Sequence, residues 1–233
     1  MLFIGSGALL FHAVDHCLTS ALRVDEVCCP PADPAARRLR ARGIEVLESA
    51  DPNADVPARL DKVGDGVVLS INNPFILSDA LLDTRAEFFN IHNGLIQGYR
   101  GIAEVCIFAA LCRGDAQYGV TLHRLLARQR VDTGPVVAQI QFAIEPHDGF
   151  ADVLRKSLDA CQTLFAANIR AILDKSYTAR SVETAESALS YKDVAMLCIG
   201  SDSERRQKAS NLGRYAGFLS KLKTEIDAVS RTP

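Results

Sequence analysis

The segment from Phe88 to Gly101, FFNIHNGLIQGYRG, carries an amide and an imidazole that could do chemistry together. The apolar residues around Asn90 and His92 predict a buried strand, and because side chains alternate between faces along a strand, these two point to the same side. An amide can donate a hydrogen bond to an oxyanion, and an imidazole can move a proton near neutral pH. Both stand where the apolar strand ends, which is where open α/β sheets bind ligands. We therefore predict that Asn90 and His92 form the centre of an active site.

Strands and helices alternate along the chain that surrounds this segment. Apolar strands are predicted at 2–5, 24–29, 44–49, 67–71, 118–125 and 135–144, with helices between the first four and a long helix at 148–175. Such alternation is typical of a parallel sheet with helices packed on it. The predicted fold is α/β, a Rossmann-like and mostly parallel sheet with helices on both faces and a helical C-terminal extension.

A change in composition after residue 175 predicts a domain edge. Residues 176–203 are rich in Ser, Thr, Glu and Ala, so we assign 1–175 to a catalytic domain and 176–233 to an extension that is largely helical from about residue 204. An amphipathic stripe follows at steps of three and four, and it must cover another surface. Its members are Leu212, Tyr215, Leu219, Leu222 and Ile226. Packing within the chain and a homodimer contact through this tail are both open.

Charge and cysteine content limit the classes of partner. Lys plus Arg is 26 and Asp plus Glu is 28, so the net charge of -2 predicts neither a nucleic acid nor a membrane partner. Seven cysteines without zinc-type spacing, and a chain that starts in a strand rather than a leader, predict a cytoplasmic protein with reduced thiols. His12 and His16 have the i, i+4 spacing of metal ligands but no acidic companion, so no metal is expected. His123 is interpreted as a structural histidine.

Two further turns, one rich in glycine and one apolar, are candidate ligand-binding segments. Gly5, Ser6 and Gly7 follow the first strand, where they serve either a tight turn or a bound anionic group. The full GxGxxG spacing is missing, so no nicotinamide cofactor is proposed. The loop residues Phe75, Ile76 and Leu77 either plug the core or contact a flat apolar ligand.

Four short motifs carry a resemblance to a known family. They are NIH at 90–92, YRG at 99–101, GVTLH at 119–123 and VDTGPVVAQ at 131–139. In this order, over about residues 1–175, the chain resembles the formyltransferases that use 10-formyltetrahydrofolate, which include glycinamide ribonucleotide, methionyl-tRNA and sugar-nucleotide N-formyltransferases. The resemblance implies Asn90, His92 and Asp132 as the catalytic set and 10-formyltetrahydrofolate as the co-substrate. It places folate near Phe75, Ile76 and Leu77 and against Arg128, Gln129, Arg130 and Val131.

The roles implied for the catalytic set agree with the chemistry of formyl transfer. Attack by an amine gives a tetrahedral oxyanion, and a fixed donor such as Asn90 is worth on the order of 3 kcal/mol. His92 can take the proton of the attacking ammonium and deliver one to the folate nitrogen. Asp132 can orient the ring and favour its charged form, or order a water that relays the proton.

Departures from the family pattern concern the loop that normally faces the acceptor amine. Many members have Pro-Ser after the histidine and a later proline, whereas this chain has Asn93, Gly94 and Gln97. These three, with Gly5, Ser6 and Gly7, are the predicted substrate-binding residues. The loop is similar to that of members from siderophore and nonribosomal peptide pathways, which implies natural product biosynthesis and an amino acid-derived acceptor; an amino-sugar nucleotide is the second choice. A formyltetrahydrofolate hydrolase and a non-catalytic folate- or partner-binding relative are the alternatives. Contacts of Arg124, Arg128 and Arg130 with a ligand are left open.

Overall fold

The structure, a computed structural model, describes residues 1–230 and contains a seven-stranded sheet. The strands are β1 (Leu2–Gly5), β2 (Glu26–Cys29), β3 (Val46–Glu48), β4 (Val67–Ile71), β5 (Glu87–His92), β6 (Gln117–Leu125) and β7 (Val136–Ala143). Their order is β3-β2-β1-β4-β5-β6-β7, and the pairings among β1 to β5 are all parallel. The predicted α/β fold with a mostly parallel sheet is confirmed.

Nine helices are assigned within residues 1–230. They are α1 (Gly7–Thr19), α2 (Pro34–Arg40), α3 (Pro52–Asp55), α4 (Asp79–Leu82), α5 (Ala103–Arg113), α6 (Phe150–Leu173), α7 (Val194–Ile199), α8 (Ser203–Ser210) and α9 (Ser220–Ser230). Helical turns of the 3-10 type lie at Pro57–Lys62, Tyr191–Asp193 and Gly213–Tyr215. None of the helices in this part of the chain is long and apolar enough to cross a membrane.

Local sequence explains where two of these helices begin or end. The side chain of Asp33 accepts a hydrogen bond from the backbone N–H of Ala35, and Pro34 supplies a φ suited to the first helical position, so α2 starts there. Helix α5 stops at Gly114, whose φ of +73° lies in the left-handed region that ends many helices.

The chain forms two compact units that interleave in sequence. The first contains Met1–His92, Leu122–Ala138 and Gln162–Val182, and the second contains Asn93–Thr121, Gln139–Cys161 and the chain from Glu183 onward. The proposed functional boundary between 175 and 176 stays a prediction, and residues 231–233 of that extension lie outside the described residues.

Each unit has its own apolar core. In the first unit, residues from β1, β4 and β5 pack with the loop and helix that follow β4; they include Leu2, Ile4, Val68, Phe88, Leu77 and Leu81. In the second unit, α5 is buried on nearly every face, with all eight residues from Val105 to Cys112 at most 5% exposed. A helix that is apolar on nearly every face must lie inside a core, and α5 does.

The C-terminal stripe is interrupted rather than continuous. Helix α8 ends at Ser210, and Gly213 adopts a left-handed φ of +52° before α9 begins at Ser220. Leu212, Leu222 and Ile226 are nevertheless buried in the core of the second unit. At least part of the stripe therefore packs within the chain, and a homodimer through the tail stays a prediction.

The cysteines should be inert while the protein is folded. All seven lie within the described residues, where none forms a disulfide bond and each is buried. Burial raises the pKa of the Cys17 and Cys28 thiols to about 12 and that of Cys29 to about 11, so little thiolate forms at pH 8. With a chromogenic disulfide reagent at pH 8, we expect no fast phase from the native protein and seven reacting thiols in denaturant. A fast native phase of one thiol or more would contradict this burial.

Candidate active site

Four polar side chains of the first unit form one connected cluster at the ends of β5 and β6. The Nδ1 atom of His92 lies 3.4 Å from Oδ2 of Asp132, and Nε2 of His123 lies 3.5 Å from Oδ1 of the same carboxylate. The Nδ2 atom of Asn90 lies 3.2 Å from Nε2 of His123. His92, His123 and Asp132 are buried, and Asn90 is half-buried. The structure thus brings together the three residues predicted as a catalytic set, with His123 added.

The backbone conformation of the loop between β6 and β7 places Asp132 beside the ends of β5 and β6. Asp132 has a φ of +53°, in the left-handed region that Asp and Asn tolerate better than most residues. At Gly134, an added Cβ would lie 1.7 Å from the carbonyl oxygen of Arg124, so the chain can pass β6 this closely only with glycine. The Arg124 N–H donates to the Pro135 carbonyl at 2.9 Å and closes the loop. The spacing between His123 and Asp132 is therefore set by a closed β6–β7 loop.

His123 is the candidate that the sequence analysis interpreted only as structural. Its Nδ1 lies 3.1 Å from the carbonyl oxygen of Arg124, and because a carbonyl can only accept, this nitrogen carries a proton. In the neutral ring, Nε2 then accepts from the Asn90 side chain, which fixes the direction of that amide. The residue is buried and hydrogen-bonded, as expected for a structural histidine, but its partners are two predicted catalytic side chains. The available signal was its position, like Asn90 and His92, at the end of an apolar strand.

The cluster has the parts needed to stabilise an anion and move a proton. One N–H of the Asn90 amide faces His123, which leaves the second for a developing oxyanion. A proton on Nδ1 of His92 faces the Asp132 carboxylate, so the lone pair on Nε2 is the one available for proton transfer. The carboxylate orients the His92 ring.

The turn at Gly5, Ser6 and Gly7 is satisfied from within the first unit. The Gly7 N–H lies 3.1 Å from both carboxylate oxygens of Asp33, and the Ser6 hydroxyl donates to the Asn72 carbonyl at 2.6 Å. Gly5 is required because an added Cβ would lie 1.9 Å from the Ile71 carbonyl oxygen. The Asp33 carboxylate thus already occupies the end of α1 where the sequence allowed a bound anion, and its charge disfavours a second anion there.

Two segments predicted to bind folate are fastened to α4 and its neighbours. The Arg128 backbone N–H donates to Asp79 at 2.7 Å, and its guanidinium donates to Asp83 at 2.9 and 3.2 Å. Asn53 donates to the Ile76 carbonyl and accepts from the Ser78 N–H. Arg128 also has a positive φ of 60°, so the segment turns sharply at this residue.

These segments expose some apolar side chains and bury others. Ile76 is 74% exposed and Val131 is 43% exposed, whereas Leu77 is buried in the core and Phe75 is half-buried. Leu77 therefore fills the core, as one interpretation of the loop after β4 predicts, and a ligand contact at the exposed Ile76 stays a prediction. Gln129 and Arg130 are exposed on the other segment. The Nη2 atom of Arg124 lies 3.8 Å from the Oε1 atom of Glu87.

The remaining predicted substrate residues, Asn93, Gly94 and Gln97, lie in a loop of the second unit, which we call the acceptor loop (residues 93–98). The buried Tyr118 hydroxyl donates to the Asn93 carbonyl at 2.7 Å, and the Thr121 hydroxyl donates to the Gly94 carbonyl at 2.8 Å. The Asn93 side-chain oxygen is buried and has no hydrogen-bond partner among the described residues. The backbone of this loop is held in place while one side-chain acceptor is unsatisfied.

A surface groove beside α1 contains the two histidines at helical spacing. His12 and His16 line it together with Gln162, Thr163 and Phe165 of α6. Within residues 1–230, no group of three or more His, Cys, Asp or Glu side chains is arranged to hold a metal ion.

Comparisons with known proteins agree with this architecture. Residues 5–169 match the family model described as Formyl transferase. A methionyl-tRNA formyltransferase from Mycobacterium avium (strain 104) is 30% identical over 153 residues, which is 65% of this chain and 47% of that protein. The chain therefore spans less than half the length of this relative.

Two solved structures with a similar fold are named as different formyltransferases. An N-formyltransferase from Helicobacter canadensis in complex with folinic acid and dTDP-3-aminofucose superposes with a TM-score of 0.65 at 17% identity, over 82% of this chain and 71% of that chain. Glycinamide ribonucleotide transformylase 1 from Symbiobacterium toebii gives 0.67 at 22% identity, over 78% of this chain and 92% of that chain. The family model covers most of the chain and includes Asn90, His92, His123 and Asp132. This chain belongs to the formyl transferase family.

Proposed function

We propose that this protein transfers a formyl group from 10-formyltetrahydrofolate to the amine of a small metabolite. The observation that carries the proposal is the connected cluster of Asn90, His123, Asp132 and His92, with separations of 3.2 to 3.5 Å along it. An oriented amide donor and an oriented imidazole are the two groups that attack by an amine on a formyl carbon requires. The family to which the chain belongs supports the same reaction class.

The proposed reaction moves one carbon and one proton. The amine nitrogen attacks the formyl carbon, and Asn90 donates a hydrogen bond to the oxygen that becomes negative in the tetrahedral intermediate. His92 accepts the proton from the attacking nitrogen at Nε2 and delivers a proton to the folate N10 atom. The bond between the formyl carbon and N10 then breaks, which releases tetrahydrofolate and the N-formyl product. Asp132 keeps the His92 ring in the orientation that this exchange needs.

The folate would bind against the loop after β4, which Asn53 of α3 holds, and the Arg128 segment, which Asp79 of α4 holds. Ile76 and Val131 expose apolar surface on segments that the chain fastens by backbone and side-chain hydrogen bonds, and a fixed apolar surface suits a flat pteridine ring. The remaining proposed contacts are Phe75, Leu77, Arg128, Gln129 and Arg130. The Helicobacter canadensis relative was crystallised with folinic acid, which supports a formyl-folate co-substrate.

The negative charge of Asp33 beside the turn at Gly5, Ser6 and Gly7 limits the charge of an acceptor that could bind there. If Gly5, Ser6 and Gly7 contact it, the part that lies there should be neutral or cationic, because the Asp33 carboxylate accepts the Gly7 N–H. An amino acid-derived amine fits this charge better than an acceptor with a phosphate at that position. A nucleotide-linked amino sugar is the second choice, supported by the dTDP-3-aminofucose in the relative's structure. The Asn93 side-chain oxygen lacks a hydrogen-bond partner among the described residues, and a bound amine would supply one.

An activity assay that follows both products tests this proposal. The protein is incubated with 10-formyltetrahydrofolate and a panel of amines, namely amino acid-derived amines, nucleotide-linked amino sugars and glycinamide ribonucleotide, while tetrahydrofolate release is followed by absorbance and product by mass. We expect release that depends on an amine, with the largest kcat/KM for an unphosphorylated amine. Release without any amine would instead identify a hydrolase. Folate binding without release under any condition would identify a non-catalytic relative.

A further inference from the structure

The acceptor loop carries an amide, that of Gln97, which is paired with Gln139, the last residue of the VDTGPVVAQ segment. The Nε2 atom of Gln97 donates to Oε1 of Gln139 at 3.0 Å, and the Nε2 atom of Gln139 donates back to Oε1 of Gln97 at 2.8 Å. Gln97 is exposed and Gln139 is half-buried on β7. Both residues belong to the second unit. A reciprocal pair of this kind fixes the side chain of Gln97 in one orientation.

Gln139 also reaches the other end of the loop. Its Nε2 atom donates to Oγ1 of Thr121 at 2.8 Å, and the Thr121 hydroxyl donates to the Gly94 carbonyl at 2.8 Å. A primary amide has two N–H groups and two acceptor lone pairs, so Gln139 can make all three of its hydrogen bonds at once. Gln139 therefore connects the beginning of the loop at Gly94 with Gln97 near its end.

The geometry around Gln97 leaves part of its amide free to meet a ligand. Within its pair with Gln139, Gln97 uses one of its two N–H groups and one lone pair. The other N–H and lone pair lie on an exposed side chain. Because Gly119 has no side chain, Leu95 of the loop can pack directly against it; an added Cβ there would lie 2.9 Å from a methyl carbon of Leu95. The loop is thus closely supported, while the Gln97 amide is presented in a defined direction.

We propose that Gln139 is a positioning residue for acceptor selection, acting through Gln97. This inference rests on the proposed formyl transfer and adds the residue that sets how the acceptor loop presents its amide. An acceptor with a hydrogen-bonding group near its amine would bind to the free N–H and lone pair of Gln97. Gln139 itself would not touch the acceptor.

A matched pair of amides on the same strand provides the control. Gln141, two residues further along β7, donates to Gln117 of β6 and is exposed, so Gln141→Ala removes the same type of contact outside the acceptor loop. For Gln139→Ala we expect the KM of the preferred amine to rise about tenfold, as when one hydrogen bond is no longer held in place, with kcat and the KM of the folate within about twofold. Gln141→Ala should leave all three parameters unchanged.

The double variant separates positioning from a general loss of structure. If Gln139 acts through Gln97, then adding Gln139→Ala to Gln97→Ala raises the KM of the amine no further. Additive increases, or an equal loss in kcat and in both KM values, would overturn the proposal.

Hydrogen exchange gives a readout that does not require turnover. The N–H groups of Gly98 and Tyr99 donate to the Leu95 carbonyl, so their protection reports on the loop. Gln139→Ala should speed their exchange by about tenfold and Gln141→Ala should not. Unchanged exchange in Gln139→Ala would overturn the positioning role even if the wild-type protein proved to have a different activity. Faster exchange in Gln139→Ala, combined with a wild-type protein that shows no amine-dependent transfer, would support the loop role and reject the proposed function.

Discussion

Replacement of His92 with alanine is expected to lower kcat about a thousandfold, because a positioned general acid and base typically contributes a hundred- to ten-thousandfold. The affinity for the folate should stay within a few-fold, since the segments proposed to bind it are held by Asp79, Asp83 and Asn53 rather than by His92. Steady-state kinetics with the preferred amine and equilibrium titration with folinic acid measure the two effects separately.

A control for this replacement is His147→Ala. The His147 side chain is 84% exposed and lies outside the proposed site, so its removal should leave kcat and the melting temperature unchanged. Turnover by the His92 variant within about tenfold of the wild type would refute the assignment of His92 as the proton-transfer group. A melting temperature lowered by more than about 8 °C would require the soluble, folded fraction to be measured before kcat is compared.

Residue alternation and strand order account for the parts of the site that could be predicted. Strand β5 was expected from the apolar residues around Asn90 and His92, and it occupies Glu87–His92. The seven-stranded order then places β6 beside β5, so a polar residue at the end of β6 lies beside those of β5. Asp132 was placed with Asn90 and His92 by its motif, and the structure brings it within 3.4 Å of His92. The alternation of side chains was therefore sufficient to predict β5, whereas the place of Asp132 in the catalytic set could be predicted only from the family resemblance.

The contacts that could not be predicted are those made between segments distant in sequence. His123 reads as one apolar-strand histidine among five histidines, and only the approach of the β6–β7 loop gives it Asp132 as a neighbour. Asp33 is a helix-capping residue in the sequence, and its second role at Gly7 depends on how α1 and α2 start beside each other. Similarly, Gln139 is one of several glutamines on strands until its pairing with Gln97 is seen. Side-chain type limits what each residue can do, but the long-range fold decides which partner it meets.

The second large effect is expected for Asp132→Asn, which should lower kcat by about a hundred- to a thousandfold. An aspartate beside the His92 Nδ1 atom selects the tautomer with a proton on Nδ1 and an unprotonated Nε2. An asparagine amide can donate to Nδ1 instead, which favours the tautomer that cannot accept a proton at Nε2. On other folds, the same replacement beside a catalytic histidine lowers kcat about ten-thousandfold. The 3.4 Å separation here, longer than a strong hydrogen bond, argues for a smaller effect.

Folding should tolerate this replacement, which makes the kinetic result interpretable. Asparagine has nearly the shape of aspartate and accepts the left-handed φ of +53° found at residue 132, so the melting temperature should stay within about 4 °C of the wild type. Asp61→Asn is the matched control, because the Asp61 side chain is 90% exposed and its ion pair with Arg85 lies on the surface. It should change neither kcat nor stability.

The decisive comparison combines the two replacements. If Asp132 acts by orienting His92, then Asp132→Asn has little further effect once His92 is alanine, since groups that act as a unit give strongly non-additive losses. A full additional loss in the His92→Ala background would mean that Asp132 acts independently of His92, either through an ordered water or through His123 and the Asn90 amide that His123 holds. If the loss acts through His123, then His123→Phe would reproduce it, because this change removes the nitrogen that lies 3.2 Å from Asn90 while keeping a ring of similar size; if it acts through a water, His123→Phe would not.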